Sequence, residues 1–177
     1  MINGDFEDDV VSDQRYGMTY PHCPTGWSCS CRRACYKPVR NYLGRIIVVG
    51  STDKVWGGGK APSGNNFVSI QSIHGHVNYI EQAIGSASKA FIVHFYARAR
   101  PNKHRCRVVL QVSYCEISQW TQPLLSVSSQ KQKWSRYSVT ISPVCASGST
   151  ALRFTEVTAD QDCTAQIDDV KLMNTSY

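Results

Sequence analysis

Apolar and polar residues alternate most regularly over positions 90–99, where Phe91, Val93, Phe95 and Ala97 interleave with Ile92, His94, Tyr96 and Arg98. A period of two puts the first set on one side of an extended chain, so this stretch predicts a β-strand with the phenylalanines turned to a core. Residues 105–114 repeat the pattern, with Val108, Leu110, Val112 and Tyr114 opposing Arg107, Val109, Gln111 and Ser113. Residues 150–157 do so again, Leu152 and Phe154 opposing Arg153 and Thr155. The unbroken apolar run from Ile46 to Val49 predicts a buried strand. Weaker signals over 67–71, 78–84 and 134–141 add three more, and Thr25-Gly26-Trp27 opens another with Trp27 in the core.

The two ends of the chain belong together. Ile2 and Phe6 fall on one side of an extended segment and Asn3, Asp5 and Glu7 on the other, which predicts a first strand over 2–7. At the far end Asp168 and Asp169 interrupt Ile167, Val170 and Leu172, so the alternation there is imperfect. Pairing the ends would bring Glu7, Asp168 and Asp169 into mutual repulsion. A hard divalent ion with oxygen ligands, calcium above others, removes that conflict; the alternative is that these acids are solvated strand-edge residues. Eight or nine short strands separated by turn signals, with no repeat, heptad or long helix, indicate a β-sandwich of two antiparallel sheets. The 177 residues fit one domain, 1–177.

A resemblance sharpens this. The Asn-Gly-x-Phe-Glu opening, the Gly26-Trp27 pair, the stretch from Pro62 to Ile70 (Pro-Ser-Gly-Asn-Asn-Phe-Val-Ser-Ile) and the Ile-Asp-Asp-Val close resemble galactose-binding-like jelly-roll domains. Such domains occur in plant cell-wall proteins of unknown function and in bacterial xylan- and glucan-binding modules. The resemblance spans nearly the whole chain and rests on the order and spacing of the motifs. It implies a jelly roll and a structural calcium joining the first and last strands, with Glu7 and Asp168 as its ligands ahead of Asp169.

Eight cysteines, an even number, suit an oxidising compartment and predict a disulfide-rich, secreted or extracellular domain. Met1 directly precedes the first predicted strand, as expected if a leader has been removed or a start codon added. The spacing of Cys23, Cys29, Cys31 and Cys35 matches no common zinc pattern and suggests two local disulfides, leaving three pairings open. Cys106 and Cys115 bracket one predicted strand and would stand about 30 Å apart. Up-and-down strand order then suggests Cys106 with Cys145 and Cys115 with Cys163. Asn174 heads an Asn-Thr-Ser glycosylation triplet. No run of about 18 apolar residues is present, so membrane insertion is not expected.

The net charge of +6 favours anionic partners. Nucleic acid is not among those expected, because no zinc-finger spacing, RNA-binding signature or basic helix accompanies the charge. An enzyme is not expected either. His22, His74, His76, His94 and His104 stand in no nucleophile motif, and Glu81, Glu116 and Glu156 lie on different elements. The His74-Gly75-His76 triplet reads as a polar turn. The Gly57-Gly58-Gly59-Lys60 run lacks the ending of a phosphate-binding loop.

If the three most regular strands share a sheet, its outer face carries His94, Tyr96, Arg98, Arg107, Gln111 and Arg153. An aromatic platform ringed by planar donors suits a sugar, whose C–H face stacks while its hydroxyls bond. Trp56 and Trp120, on loops, would close over the edge. Guanidinium forks favour carboxylated or sulfated sugars. The expected function is therefore a lectin-like module for acidic glycans, on a polysaccharide or a glycoprotein. The alternative is a structural or adhesion module that uses the same face for extracellular protein partners, and a plain solvated face is the third reading.

Overall fold

The computed structural model describes residues 1, 3–11, 23–30, 45–54, 56–57, 59–72, 77–85, 90–101, 110–113, 133–141, 150–157 and 163–174. Nine strands run through them: β1 Ser28–Cys29, β2 Arg45–Gly50, β3 Asn66–Ser72, β4 Asn78–Gly85, β5 Phe91–Ala99, β6 Leu110–Ser113, β7 Ser135–Ile141, β8 Thr150–Glu156 and β9 Cys163–Asn174. They form a four-stranded sheet in the order β1-β4-β8-β6 and a five-stranded sheet in the order β2-β3-β9-β5-β7. Every pairing is antiparallel. The described residues contain no helix, and so none long and apolar enough to cross a membrane.

The predicted alternation sets the core. Phe91, Val93, Phe95 and Ala97 of β5 are all buried, as are Leu152 and Phe154 of β8. Phe154 lies at the centre, its ring edge-on to Phe95 at 5.1 Å and tilted against Trp27 at 6.1 Å. Trp27 is 6% exposed, as its core assignment required. Cys23 is bonded to Cys29, whose side chain is buried in this core. The other expected pairings involve residues whose side chains lie outside those described, so one local staple is seen and the disulfide-rich reading goes no further.

Three expectations change. First, residues 3–9 are not a strand. Asn3 and Phe6 adopt φ values of 47° and 58°, a left-handed backbone incompatible with extension. The alternation that suggested a strand included Ile2, which lies outside the described residues, and the turn at 3–6 buries Phe6 without any extension. The ends do meet, through Val170 N–H donating to Gly4 O at 2.8 Å. Phe6 is fully buried against Trp27, and the Trp27 indole N–H donates to Asn3 O at 3.1 Å.

Second, the irregularity at 168–169 is a β-bulge. Tyr96 of β5 faces Asp168 of β9, but His94 faces Lys171, so β9 holds one residue more than β5 between those rungs. Asp169 takes up the extra residue at φ 50°. Val170 therefore turns back to the core, while Asp168 and Lys171 both point outward.

Third, the three regular strands do not share a sheet. β5 belongs to the five-stranded sheet, whereas β6 and β8 belong to the other. Alternation specifies which side of a strand is polar and carries no information on which sheet the strand joins.

A Cβ built on Gly4 would lie 2.1 Å from Val170 O. Gly4→Ala must therefore push the N-terminal turn off β9, and we expect a loss of about 2 kcal/mol or more in urea unfolding. An unchanged midpoint would mean that the turn does not hold the sheet end.

Candidate functional site

The outer face of the five-stranded sheet is divided into a covered half and an open half. Cross-strand register places Ile47, Ser69, Gln166 and Arg98 in one row over β2, β3, β9 and β5. Ser69 and Gln166 are fully buried and Arg98 is 6% exposed, although all three point away from the main core. The cover is the loop after β2. Trp56 and Ala61 of that loop pack with Ile47, Val49 and Phe67 as a second small core, and Trp134 joins it from the start of β7. This explains why all seven residues of β3 are buried.

Polar bonds fasten the cover. Arg98 Nε donates to Gln166 Oε1 at 2.6 Å and Nη2 to Gly57 O at 2.8 Å. Gln166 Nε2 donates to Trp56 O at 2.7 Å, and Trp56 N–H is capped by Asp53 Oδ1 at 3.2 Å. The Arg98 guanidinium lies 4.4 Å from the Trp134 ring centre and 5.2 Å from that of Phe67. Burial lowers its pKa to about 10, which leaves it charged at neutral pH. Arg98, expected at an exposed ligand face, is thus built into the scaffold beneath the loop, and Trp56, expected to close over the edge of that face, is buried in the loop's own core. Trp56 is 5% exposed, with the Arg100 guanidinium 4.3 Å from its ring centre. On the loop's own surface, Ser51, Thr52, Asp53, Lys54, Gly57, Gly59 and Pro101 line a cleft of about 450 Å³ with no aromatic side chain among the described lining residues.

The open half begins one row further along β5. Tyr96, half-buried, stands beside exposed Arg136 of β7. His94 follows, flanked by Ser138 and Lys171, with Ser138 Oγ hydrogen-bonded to His94 Nδ1. The last row carries Ile92, Thr140 and Met173, the methionine 50% exposed. Lys171 Nζ lies 2.6 Å from Asp169 Oδ1, a contact that raises the lysine pKa. Arg136 has no ion-pair partner among the described residues.

The remaining residues of the expected face are elsewhere. Arg153 lies on the four-stranded sheet, where its guanidinium bonds Glu81 through Nε at 2.7 Å and through Nη2. It also sits 3.8 Å from the Tyr79 ring centre. Gln111 is on β6 of that same sheet with only its backbone described, and Arg107 and Trp120 lie outside the described residues, as does the His74-Gly75-His76 turn. Glu81 and Glu156 are structural. Glu156 is fully buried and accepts from Ser72 N–H at 3.0 Å.

Sequence reasoning therefore missed Arg136, Ser138, Lys171 and Met173. Their signal was present for β7, where Tyr137, Val139 and Ile141 alternate with Arg136, Ser138 and Thr140. For Lys171 and Met173 the bulge reverses the expected parity, so only the structure assigns their side.

At the joined chain ends, Glu7 Oε1 accepts from Asn65 N–H at 2.8 Å and Asn66 N–H at 2.6 Å. Asp168 Oδ2 accepts from Ser63 N–H at 2.8 Å and Oδ1 from Asp169 N–H at 2.7 Å. Asp168 is fully buried. Burial is the main cause that pushes its carboxyl up to about 8; the two N–H bonds oppose this, and the charges of Asp169 and Glu7 add to it. A Cβ on Gly64 would lie 2.3 Å from the Glu7 carboxyl carbon, so the 62–66 turn closes tightly over this pair. Among the described residues no three acidic, histidine or cysteine side chains converge.

No protein-family model matches the chain, and no curated protein is similar to it in sequence. Solved structures do share its fold. The Stig cyclase Fisc from Fischerella sp. TAU, solved with a pyrrolidinylidene-indole, superposes with a TM-score of 0.71 at 14% identity, covering 97% of this chain and 94% of that one. TmCBM61 in complex with β-1,4-galactotriose gives 0.56 at 15% identity over 98% and 97%. The CBM22-1 xylan-binding domain of Paenibacillus barcinonensis Xyn10C gives 0.58 at 14% identity over 86% and 87%. The fold is accordingly a jelly-roll β-sandwich, as the resemblance implied.

Removing the Arg98 side chain should unfasten the loop. We expect Arg98→Ala to lose about 3 kcal/mol, since two hydrogen bonds from a charged donor and two ring contacts disappear together. Urea unfolding of Arg98→Ala beside Arg136→Ala checks this; equal stability of the two would show the buried row to be dispensable.

Proposed function

We propose that the chain is a carbohydrate-binding module for acidic glycans, acting outside the cell on a polysaccharide or glycoprotein, and that its ligand sits on the open half of the five-stranded sheet. The observation that carries the reading is the Tyr96–Arg136 pair. It sets a half-buried aromatic ring beside an exposed guanidinium that has no ion-pair partner among the described residues, on a hydrogen-bonded sheet surface. A sugar ring stacked on Tyr96 would present its polar rim to Arg136, His94 and Ser138. Its carboxylate or sulfate would take the guanidinium fork. Lys171 is already paired with Asp169, and Ile92 and Met173 offer C–H contact further along. The carbohydrate-binding modules among proteins of this fold support the class of ligand, and the basic face supports an acidic member of it.

We expect Tyr96→Ala and Arg136→Ala each to weaken binding of an acidic saccharide about tenfold to a hundredfold, the cost of roughly 1.5 to 3 kcal/mol for a charge-assisted or stacking contact. Arg153→Ala, on the opposite sheet, should bind as the parent does. Calorimetric titration at two salt concentrations is the measurement. If the parent binds no saccharide, the adhesion reading replaces this one.

We further propose that a structural calcium joins the chain ends at Glu7 and Asp168. The residues fit it: both supply carboxylate oxygens at one turn, and among the described residues no cation offsets the buried Asp168 carboxyl. The remaining ligands would be backbone carbonyls and water. Asp169, paired with Lys171, is the poorer donor. When bound, the ion would neutralise the pair and hold both carboxyl groups ionised.

The pH dependence follows from the sign of the shift. Without the metal, the folded state keeps a proton on Asp168 up to about pH 8, whereas the unfolded chain releases it near 3.8. The stability that Asp168 contributes is then fully present below about pH 4, declines as pH rises toward 8 and is lost above it. Calcium should flatten that slope and raise the Tm at neutral pH by mass action. A melting curve indifferent to both EDTA and added calcium would exclude the site.

A further inference from the structure

Building on the acidic-glycan reading, we infer that this face takes the end of a glycan chain rather than its middle, with a terminal carboxylated sugar seated at Tyr96 and Arg136. The inference comes from where the face is closed. The covered row crosses the whole sheet. Ile47 and Phe67 lie under the loop on β2 and β3, Gln166 and Arg98 are bonded to it from β9 and β5, and Trp134 stacks on Arg98 at the β7 side. A saccharide lying along the strands meets this wall directly beyond Tyr96.

A second closure stands at right angles to the first. In the Tyr96 row the next residue toward β3 is Asp168, fully buried with Ser63 N–H on its carboxylate. The 62–66 turn therefore covers β9 at that level, and a saccharide crossing the strands from β7 over β5 also runs into protein. Tyr96 and Arg136 occupy the corner where the two closures meet.

From that corner the open surface extends along β5 to Ile92, four residues and about 14 Å, the last described row of this face. It changes character on the way. Next to the wall it is aromatic and cationic; at the far end Ile92, Thr140 and Met173 make it largely apolar. A chain with its charge at the tip and uncharged C–H faces behind matches that order. A polyanion passing through would leave most of its charges beside the apolar end. The shared chemistry is a carboxylate on a terminal pyranose, as in a uronic acid or a sialic acid.

The test is calorimetric titration of the whole protein with galacturonic acid, an oligogalacturonate ladder of increasing length, and sialyllactose beside lactose. Chain-end binding predicts affinity that stops rising, within about threefold, once the corner and the short open strip are filled, and a stoichiometry that counts chain ends however long the chain. The terminal acidic monosaccharide should displace the longer ligand, and Arg136→Ala should weaken every acidic ligand tenfold or more with an unchanged melting curve. The arm that binds, galacturonate or sialyllactose, identifies the acid. Several protein molecules bound per long chain, with affinity still growing with length, would overturn chain-end recognition while leaving acidic-glycan binding intact. Binding of lactose as tight as sialyllactose would remove the carboxylate from the inference. Failure of every saccharide to bind would overturn the glycan reading itself.

Discussion

A buried charge has to be met by an opposite charge or by dipoles, and Arg98, with no acid beside it among the described residues, imposes the second condition on the outer face of the five-stranded sheet. The Gln166 and Gly57 oxygens and the faces of Trp134 and Phe67 surround its guanidinium. Each hydrogen bond from a charged donor is worth about 1.5 to 3 kcal/mol and is costly to leave unmade. The loop carbonyl must therefore stay where it is. Gly57 delivers that carbonyl at φ 79°, with a would-be Cβ only 2.6 Å from Pro101, so the position has room for glycine and for little else. Once the loop is fixed, so is the division of the face, and the accessible aromatic and cationic residues are those one row beyond the cover.

Asp168 presents the same problem with the opposite sign and a different solution. Two backbone N–H groups contact its carboxylate, yet burial and two acidic neighbours outweigh them. The imbalance falls where the chain ends are joined and where the bulge at Asp169 restores the parity of β9. Those three features are one device. The extra residue lets Val170 reach the core and Gly4, keeps Asp168 pointing outward under the 62–66 turn, and leaves Asp169 to pair with Lys171.

Much of the sandwich was legible in the sequence because a period of two is a strong signal wherever one face is apolar: β5 and β8 bury the residues that their alternation selects. Sheet membership was not legible, since β5 draws its neighbours from β7 and β9, which lie far along the chain. Nor was the second core. Ser69, Gln71, Gln166 and Arg98 are polar by type, and sequence periodicity assigns polar residues to water. One clue was available in the uninterrupted run of Ile46 to Val49. If Ile46 and Val48 face the core between the sheets, Ile47 and Val49 face out, and an apolar pair on an outer face needs a cover such as Trp56.

The two outer faces show why residue type alone does not define a site. Both carry an arginine beside a tyrosine on adjacent strands. On the four-stranded sheet Arg153 is fixed by Glu81 and packed on Tyr79, so binding an anion there would require breaking a two-point ion pair already made. On the five-stranded sheet the acid opposite Tyr96 is Asp168, which is turned under the 62–66 turn and bonded to Ser63. Among the described residues, Arg136 is thereby left without a carboxylate partner. Among the described residues an incoming anion meets no competing carboxylate at Arg136, and the difference between the two arginines reduces to where the nearest described acid is turned.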